Sequence, residues 1–322
     1  MSLTRRAVID VGTNSIKLLV ADVDGHDVRP VCEDSTQTRL GQGFYETHRL
    51  RDSAIAATAK AVAKFAEQAR EKEAGSIRVI ATSAARDAIN AEDLTRAIES
   101  ASKLKVEIIS GDVEADYVFQ GATSDPRFAQ APLLLLDVGG GSTEFIVGQG
   151  EQKHLRRSFA LGSVRLLEKL QPSDPPKPEE LAGCRRWLKE FLQSEVRPKL
   201  GPALEKEAKR FSSEGPLQLV ATGGSASILA RIDAKLDSFD RERIEATRLT
   251  RRKLQGHVEQ LWSLPLEERK QIVGLPPNRA DVILTGAAIY EAILEEFDFS
   301  ELRISTRGLR FAAVMEGGGK AK

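Results

Sequence analysis

Hydrophobic and polar positions repeat in register at two places along the chain. Residues 7–22 read AVIDVGTNSIKLLVAD, and residues 133–148 read LLLLDVGGGSTEFIVG. With Asp10 laid on Asp137, both segments contain an apolar run, Asp-Val-Gly, a short polar stretch with a serine, and a second apolar run. Apolar residues on both sides of a glycine-containing polar stretch are typical of two strands joined by a turn. The pattern therefore predicts that one hairpin is built twice.

Between the two hairpins, the chain alternates between predicted strands and helices. The apolar spacing predicts strands over 77–81 and 106–109, and helices over 53–74, 92–103 and 113–121. The first of these helices has Asp52 or Ser53 as a candidate N-cap and Gly75 as a candidate stop. Such alternation is typical of an α/β layer architecture.

The second half of the chain begins after residues 122–132, which contain two prolines and no periodicity. Residues 171–178, QPSDPPKP, predict an exposed loop before a helical region. The remaining predicted elements are a helical region over 179–210, strands over 217–221 and 302–304, a helix from Ser225, a helix over 309–315 and a frayed tail over 317–322. We expect domains at 1–124 and 125–322, with the last helix, about 305–318, able to pack back on the first domain.

Length and charge narrow the class of protein. A chain of 322 residues exceeds the usual size of a single core, so two domains are expected. Lys plus Arg and Asp plus Glu each number 47, so no global field attracts nucleic acid or a membrane surface. We expect neither as a partner, and any site for a polyanion must be local.

Cysteine usage and the amino terminus indicate the compartment. Cys32 and Cys184 show no Cys-x-x-Cys spacing, which argues against a zinc site or a disulfide framework. The first residues run into a strand pattern without an apolar signal core, and the apolar runs are too short to span a bilayer. We therefore expect a cytoplasmic protein.

The glycine run at 139–141 predicts an anion site. Glycine allows close backbone approach and positive φ, so successive N–H groups can turn towards a phosphate. Asp137 and Glu144 would repel that phosphate unless a cation lay between, and Mg²⁺ binds carboxylates and phosphate oxygens together. A plain tight hairpin is the alternative. The repeat around Asp10 and the sequence TGG at 222–224 favour a phosphate and magnesium site.

Two common phosphate motifs are missing from the sequence. Neither GxxxxGK[ST] nor a GxGxxG that opens a helix occurs, which disfavours P-loop and dinucleotide-binding folds.

Seven segments, in order, resemble the Ppx/GppA family of exopolyphosphatases and guanosine pentaphosphate phosphohydrolases. They are DVGTNS, ATSAARDA at 81–88, ISGDVEA at 109–115, LDVGGGSTE at 136–144, SFALGSVRL at 158–166, ATGGSAS at 221–227 and STRGLR at 305–310. The resemblance spans almost the whole chain. It implies two ribonuclease H-like domains of the actin-like superfamily, facing across an interdomain cleft, in a short form without the HD-type helical domain. It also implies hydrolysis of a terminal phosphoanhydride with Mg²⁺, or Mn²⁺, as cofactor.

The resemblance also implies roles for individual residues. Glu114 matches the general base that activates water, and Asp10, Asp137 and Glu144 match acids beside the metal. The residues implied for phosphate binding are Asn14, Ser15, Arg39, Arg86, Gly139, Gly140, Gly141, Ser142, Thr143 and Gly223, with Arg165 a weaker candidate. In this chain Val113 stands where the family often has a second acid. Without the motif, Glu114 would be interpreted as an exposed helix acid.

The substrate remains open at this level. Inorganic polyphosphate is the first expectation, and pppGpp, which would be hydrolysed to ppGpp, is the alternative. An actin-like kinase or ATPase and a non-catalytic polyphosphate or alarmone sensor are more distant. We also expect a homodimer.

Overall fold

The computed structural model describes residues 3–210 and 216–316 and shows an α/β fold with two sheets. The chain divides into two compact units. The first unit contains Met1–Asp125 together with Arg307–Lys322, and the second contains Pro126–Thr306. The last helix therefore belongs to the first unit. The predicted tail over 317–322 lies outside the described residues.

The first unit contains a five-stranded sheet with strand order β3-β2-β1-β4-β5. Its strands are β1 (Thr4–Val11), β2 (Ser15–Asp24), β3 (Asp27–Gln37), β4 (Ser76–Ala81) and β5 (Val106–Ile108). β1, β2 and β3 form an antiparallel meander, and β4 and β5 continue the sheet in parallel from β1. Its helices are α1 (Phe44–Thr47), α2 (Asp52–Glu71), α3 (Ser83–Asp87), α4 (Ala91–Ser102), α5 (Gly111–Thr123) and α14 (Leu309–Glu316).

The second unit contains a six-stranded sheet with strand order β10-β11-β9-β6-β7-β8. Its strands are β6 (Leu133–Val138), β7 (Thr143–Gln149), β8 (Gln152–Phe159), β9 (Gln218–Thr222), β10 (Arg248–Thr250) and β11 (Glu301–Ile304). Its helices are α6 (Ser163–Leu170), α7 (Pro178–Phe191), α8 (Arg197–Arg210), α9 (Gly224–Asp233), α10 (Arg241–Ala246), α11 (Arg251–Ser263), α12 (Leu266–Arg269) and α13 (Ile283–Glu296). A π-helix over Leu192–Val196 joins α7 to α8, and Pro277–Arg279 form a 3-10 helix.

The two sheets share one strand plan, which confirms the predicted repeat of the hairpin. In each, an antiparallel meander of three strands is extended by parallel strands from its first member, so that β6 corresponds to β1 and β9 to β4. The second sheet has in addition the edge strand β10, which is antiparallel to β11. The turns also match. The N–H of Gly12 donates to the carbonyl of Ser15 at 3.1 Å, and that of Gly139 donates to the carbonyl of Ser142 at 2.9 Å.

The long helix of the first unit forms where its apolar spacing predicts, but its ends differ. The N-cap residue is Arg51, so Asp52 opens the helix instead of capping it. The helix ends at Glu71 because Glu73 takes a positive φ of 58° and reverses the chain before Gly75 is reached. Glycine is therefore not the residue that ends this helix.

Each unit has its own apolar core. In the first, Ile55, Val62 and Phe65 of α2 pack against the sheet from one face of the helix. In the second, α13 is buried at every position from Ile283 to Leu294, which explains why no amphipathic pattern marked it in the sequence. Within the described ranges, the helices are all too short or too polar to cross a membrane.

Candidate functional site

The glycine turn of the second unit is held rigidly from one side. The N–H groups of Ser163 and Val164, at the start of α6, donate to the carbonyls of Gly139 and Gly140, both at 2.9 Å. A Cβ added to Gly162 would lie 2.4 Å from the Gly140 carbonyl oxygen, so only glycine allows this approach. The carbonyl groups of the turn therefore point into α6.

The opposite, donor side of this turn is left available. Among the residues that the structure describes, the N–H groups of Gly140 and Gly141 donate to no protein acceptor. Arg165 Nε donates to the Gly141 carbonyl at 2.8 Å, so this arginine supports the turn. A short run of backbone donors on a fixed turn is a suitable binding site for an anion.

Ser142 and Thr143 follow the glycines and differ in their surroundings. Thr143 is fully buried, and its hydroxyl donates to the carbonyl of Leu161 at 2.5 Å. The Thr143 hydroxyl therefore binds the segment between β8 and α6. Its proton is not available to donate to a phosphate, contrary to the role that the sequence had suggested. Ser142 is also buried, at the turn itself.

Asp137 and Glu144 lie opposite each other in the antiparallel ladder of β6 and β7. Residues directly opposite in such a ladder point to the same face of the sheet. Glu144 is only 1% exposed, and Ser158 Oγ donates to its Oε1 at 2.7 Å. Asp137 is half-buried at the end of its strand. The structure thus brings two of the three predicted metal-binding acids together.

Gly223 makes close contact with the carboxylate of Asp137. Its φ of +93° lies in the region that favours glycine, and a Cβ there would lie 2.4 Å from Asp137 Oδ1. The Tyr290 hydroxyl donates to the carbonyl of the preceding Thr222 at 3.1 Å. Burial, followed by the charge of Asp137, raises the pKa of Tyr290 well above its usual value, so the phenol stays neutral. The TGG segment and Tyr290 together position Asp137.

We expect Gly223→Ala to lower the stability of the protein. The methyl group would displace the Asp137 carboxylate, and alanine disfavours this φ, so unfolding should become easier by about 1–3 kcal/mol. Chemical denaturation measures this effect. Gly256→Ala is the matched control, because it lies within α11 with no atom near its added Cβ, and it should be neutral or stabilising. Wild-type behaviour of Gly223→Ala would contradict the proposed contact.

The corresponding turn of the first unit also presents unused donors. Asn14 and Ser15 are 6% and 5% exposed. Asn14 Oδ1 accepts from Gln37 Nε2 at 3.0 Å, and the Asn14 carbonyl accepts from the N–H of Arg39 at 3.0 Å. Asn14 Nδ2 and Ser15 Oγ, in contrast, are buried with no partner among the described residues. Buried donors are normally satisfied, so both atoms suit an anionic ligand that the structure does not contain.

Glu114 lies in the first turn of α5 and is buried, at 9% exposure. Arg86 Nη1 donates to Glu114 Oε2 at 3.0 Å and to the carbonyl of Ile109 at 3.2 Å. Interpretation of Glu114 as an exposed helix acid is therefore wrong. The exposed side chains of this turn are its neighbours Asp112 and Val113. The two residues predicted as base and phosphate clamp form one ion pair.

Asp10 is the penultimate residue of β1 and lies opposite Lys17 in β2. Burial raises the pKa of its carboxyl group, while Lys17 and Arg310 act in the opposite direction. Arg310, from the last helix, donates to the carbonyl of Leu18 at 2.6 Å and to Glu33 Oε2 at 3.3 Å. Asp10 therefore lies near two cationic side chains of its own unit, Lys17 and Arg310, the second of which comes from the far end of the chain.

The predicted metal-binding acids suit a metal ion only when a phosphate ligand supplies further oxygens. Across residues 3–210 and 216–316, no three His, Cys, Asp or Glu side chains are grouped so that they could hold a metal ion. Mg²⁺ commonly keeps several waters and uses one or two carboxylates together with substrate phosphates. The pair of Asp137 and Glu144 is compatible with that arrangement.

Arg279 is a candidate phosphate-binding residue that the sequence did not indicate. Its Nη2 lies 3.2 Å from the position that a Cβ on Gly224 would take, beside the TGG segment. It belongs to the 3-10 helix, and no local pattern distinguishes it from the many other arginines of the chain. Only the fold places it there.

The repeated arrangement of strands, with a glycine turn in each unit, defines the class of fold. The chain has the actin-like two-domain fold, which its structural neighbours share. The model of the Ppx/GppA phosphatase family matches residues 19–316. The chain therefore belongs to the Ppx/GppA phosphatase family.

Individual relatives agree with this assignment. Exopolyphosphatase 2 of Mycobacterium tuberculosis is 34% identical over 315 residues, covering 92% of each protein. The PPX-GPPA enzyme of Aquifex aeolicus is 27% identical, with a TM-score of 0.76 over 98% of this chain and 100% of that chain. An exopolyphosphatase from Cytophaga hutchinsonii has a TM-score of 0.81 over 96% of each chain at 24% identity, a likeness that shows the fold alone.

Proposed function

We propose that this protein is an exopolyphosphatase that hydrolyses the terminal phosphoanhydride of inorganic polyphosphate and releases orthophosphate. The observation that carries the proposal is the buried Glu114 carboxylate, held by Arg86 at 3.0 Å in a member of the Ppx/GppA phosphatase family. The similarity to a protein named Exopolyphosphatase 2 supports polyphosphate as the substrate class.

In the proposed reaction, Glu114 takes a proton from a water molecule whose oxygen attacks the terminal phosphorus. The bond from that phosphorus to the bridging oxygen breaks, and the shortened chain leaves with the bond electrons. Arg86 orients the Glu114 carboxylate. Phosphoryl transfer depends mainly on position and electrostatics, so fixed donors matter as much as the base.

In the first unit, Asn14 Nδ2 and Ser15 Oγ would donate to phosphate oxygens of the substrate. In the second unit, the N–H groups of Gly140 and Gly141 would do the same. We propose that Asp137 and Glu144 bind Mg²⁺, or Mn²⁺. We propose that Asp10 either binds the metal ion as well or acts on it through its charge. When bound, the divalent cation supplies charge neutralisation for the phosphate oxygens. Arg39 and Arg279 are candidates for contact with further phosphates of the chain.

The test is an orthophosphate release assay with four substrates in the presence of Mg²⁺. Long-chain polyphosphate, tripolyphosphate, pppGpp and ATP are compared at equal concentrations. Release from long-chain polyphosphate with the highest kcat/KM supports the proposal. Preference for pppGpp would identify a pentaphosphate phosphohydrolase, preference for ATP an actin-like ATPase, and binding without turnover a sensor. A homodimer and a cytoplasmic location stay predictions, to be tested by light scattering and fractionation.

A further inference from the structure

Ser83 is a buried serine whose hydroxyl has no hydrogen-bond partner in the described part of the chain. Its side chain is 3% exposed. It lies two residues beyond the end of β4, and the N–H of the intervening Thr82 donates to the carbonyl of Val11 at 3.2 Å. The position of Ser83 is therefore tied to the end of β1.

The same sheet edge carries the other unused donors. β1 and β4 run in parallel, with Val11 beside Ala81, so both strands end at one edge. The turn that follows β1 presents Asn14 Nδ2 and Ser15 Oγ, which are likewise buried and unpartnered. Ligands of α/β proteins bind at the carboxyl ends of parallel strands. Asn14, Ser15 and Ser83 therefore place three buried donors, unpartnered among the described residues, at this edge of the sheet.

Ser83 also lies in the same short helix as Arg86, the arginine that binds Glu114. Ser83 and Arg86 are three residues apart in α3, a spacing that places both on one face of a helix. Arg86 uses that face to reach Glu114. Ser83 therefore lies on the same face of this helix as the arginine that binds Glu114.

We propose that Ser83 Oγ donates a hydrogen bond to a non-bridging oxygen of the substrate phosphate. Ser83 is then a substrate-binding residue of the first unit, alongside Asn14 and Ser15. The proposal rests on the proposed function. A buried hydroxyl without a partner is unfavourable in the free protein, and a phosphate oxygen would satisfy it in the complex.

The experiment compares Ser83→Ala with Ser102→Ala. Ser102 is also 3% exposed and in the same unit, but its hydroxyl donates to the Ile98 carbonyl at 2.8 Å. Ser83→Ala should raise KM for polyphosphate by about 10- to 100-fold with kcat changed less than about threefold. It should not lower the unfolding temperature of the free protein, because the Ser83 hydroxyl has no hydrogen bond to lose among the described residues. Ser102→Ala should lower the unfolding temperature and leave KM unchanged.

A second readout does not depend on turnover. Thermal unfolding in increasing inorganic phosphate reports anion affinity, which Ser83→Ala should weaken. Ser83→Cys keeps the side-chain size with a weak donor and should raise KM like the alanine variant. Wild-type KM and phosphate affinity in both Ser83 variants would overturn the proposal and leave the proposed function intact. If the wild type does not hydrolyse polyphosphate, the proposed function fails, and the phosphate titration alone decides on Ser83.

Discussion

Glu114→Gln should lower kcat for polyphosphate by about 10²- to 10⁴-fold while KM changes little. Glutamine keeps the size of the side chain and an oxygen that can accept from Arg86, but it cannot take a proton from water. The residue that precedes Glu114, Val113, is apolar and offers no carboxylate in its place. Steady-state orthophosphate release, with the unfolding temperature measured in parallel, separates loss of chemistry from loss of fold.

Asp112→Asn is the matched control for this change. Asp112 is an exposed acid in the same first turn of α5, and we expect kcat within about twofold of wild type because exposed substitutions rarely exceed about 0.5 kcal/mol. A Glu114→Gln protein with near-normal kcat on every phosphoanhydride would remove Glu114 from the mechanism. Equal losses in both variants would indicate a general charge effect near the helix start.

Removal of divalent cations should abolish orthophosphate release, and added Mg²⁺ should restore it. The second unit places two carboxylates, Asp137 and Glu144, opposite each other beside the turn proposed for the phosphate. Without a cation between them, these charges would repel a polyanionic substrate. The measurement is activity after exhaustive chelation, followed by titration with Mg²⁺.

An Asp137→Asn variant makes this prediction specific to the site. The half-saturating Mg²⁺ concentration should rise by about tenfold or more, because one of two proposed carboxylate ligands is lost. Glu242→Gln, which replaces an exposed acid in the first turn of α10, should leave the Mg²⁺ titration unchanged. Full turnover after chelation, or an unchanged titration for Asp137→Asn, would contradict metal binding at this carboxylate.

The local patterns predicted the elements they directly encode. Alternation around Asp10 and Asp137 identified two equivalent hairpins, because side-chain direction in a strand repeats every two residues and the glycine turn is local. The ends of elements were less predictable. The long helix begins after Arg51 and ends before Glu73 for reasons of backbone geometry that the apolar spacing does not specify.

The sequence likewise predicted some features of the candidate site and not others. Sequence alone placed Asp137 beside a glycine turn, predicted Glu144 across the hairpin, and, through the family resemblance, singled out Glu114. It could not show that Glu114 is buried, because its partner Arg86 is 28 residues away. The commitment of the Thr143 hydroxyl to Leu161 was equally invisible, since an exposed and a buried threonine have the same local pattern.

By itself, the sequence determined the α/β class, the doubled hairpin and the acids at the ends of its strands, all of which follow from the spacing of neighbouring residues. Only the tertiary structure decided that Gly223 contacts the Asp137 carboxylate, that Arg310 returns from the last helix towards Asp10, and that Ser83 stays without a partner. The physical reason is that these contacts join residues far apart in the chain. A pattern of apolar and polar positions indicates which apolar side chains face the core, but packing of the folded chain specifies which residues meet.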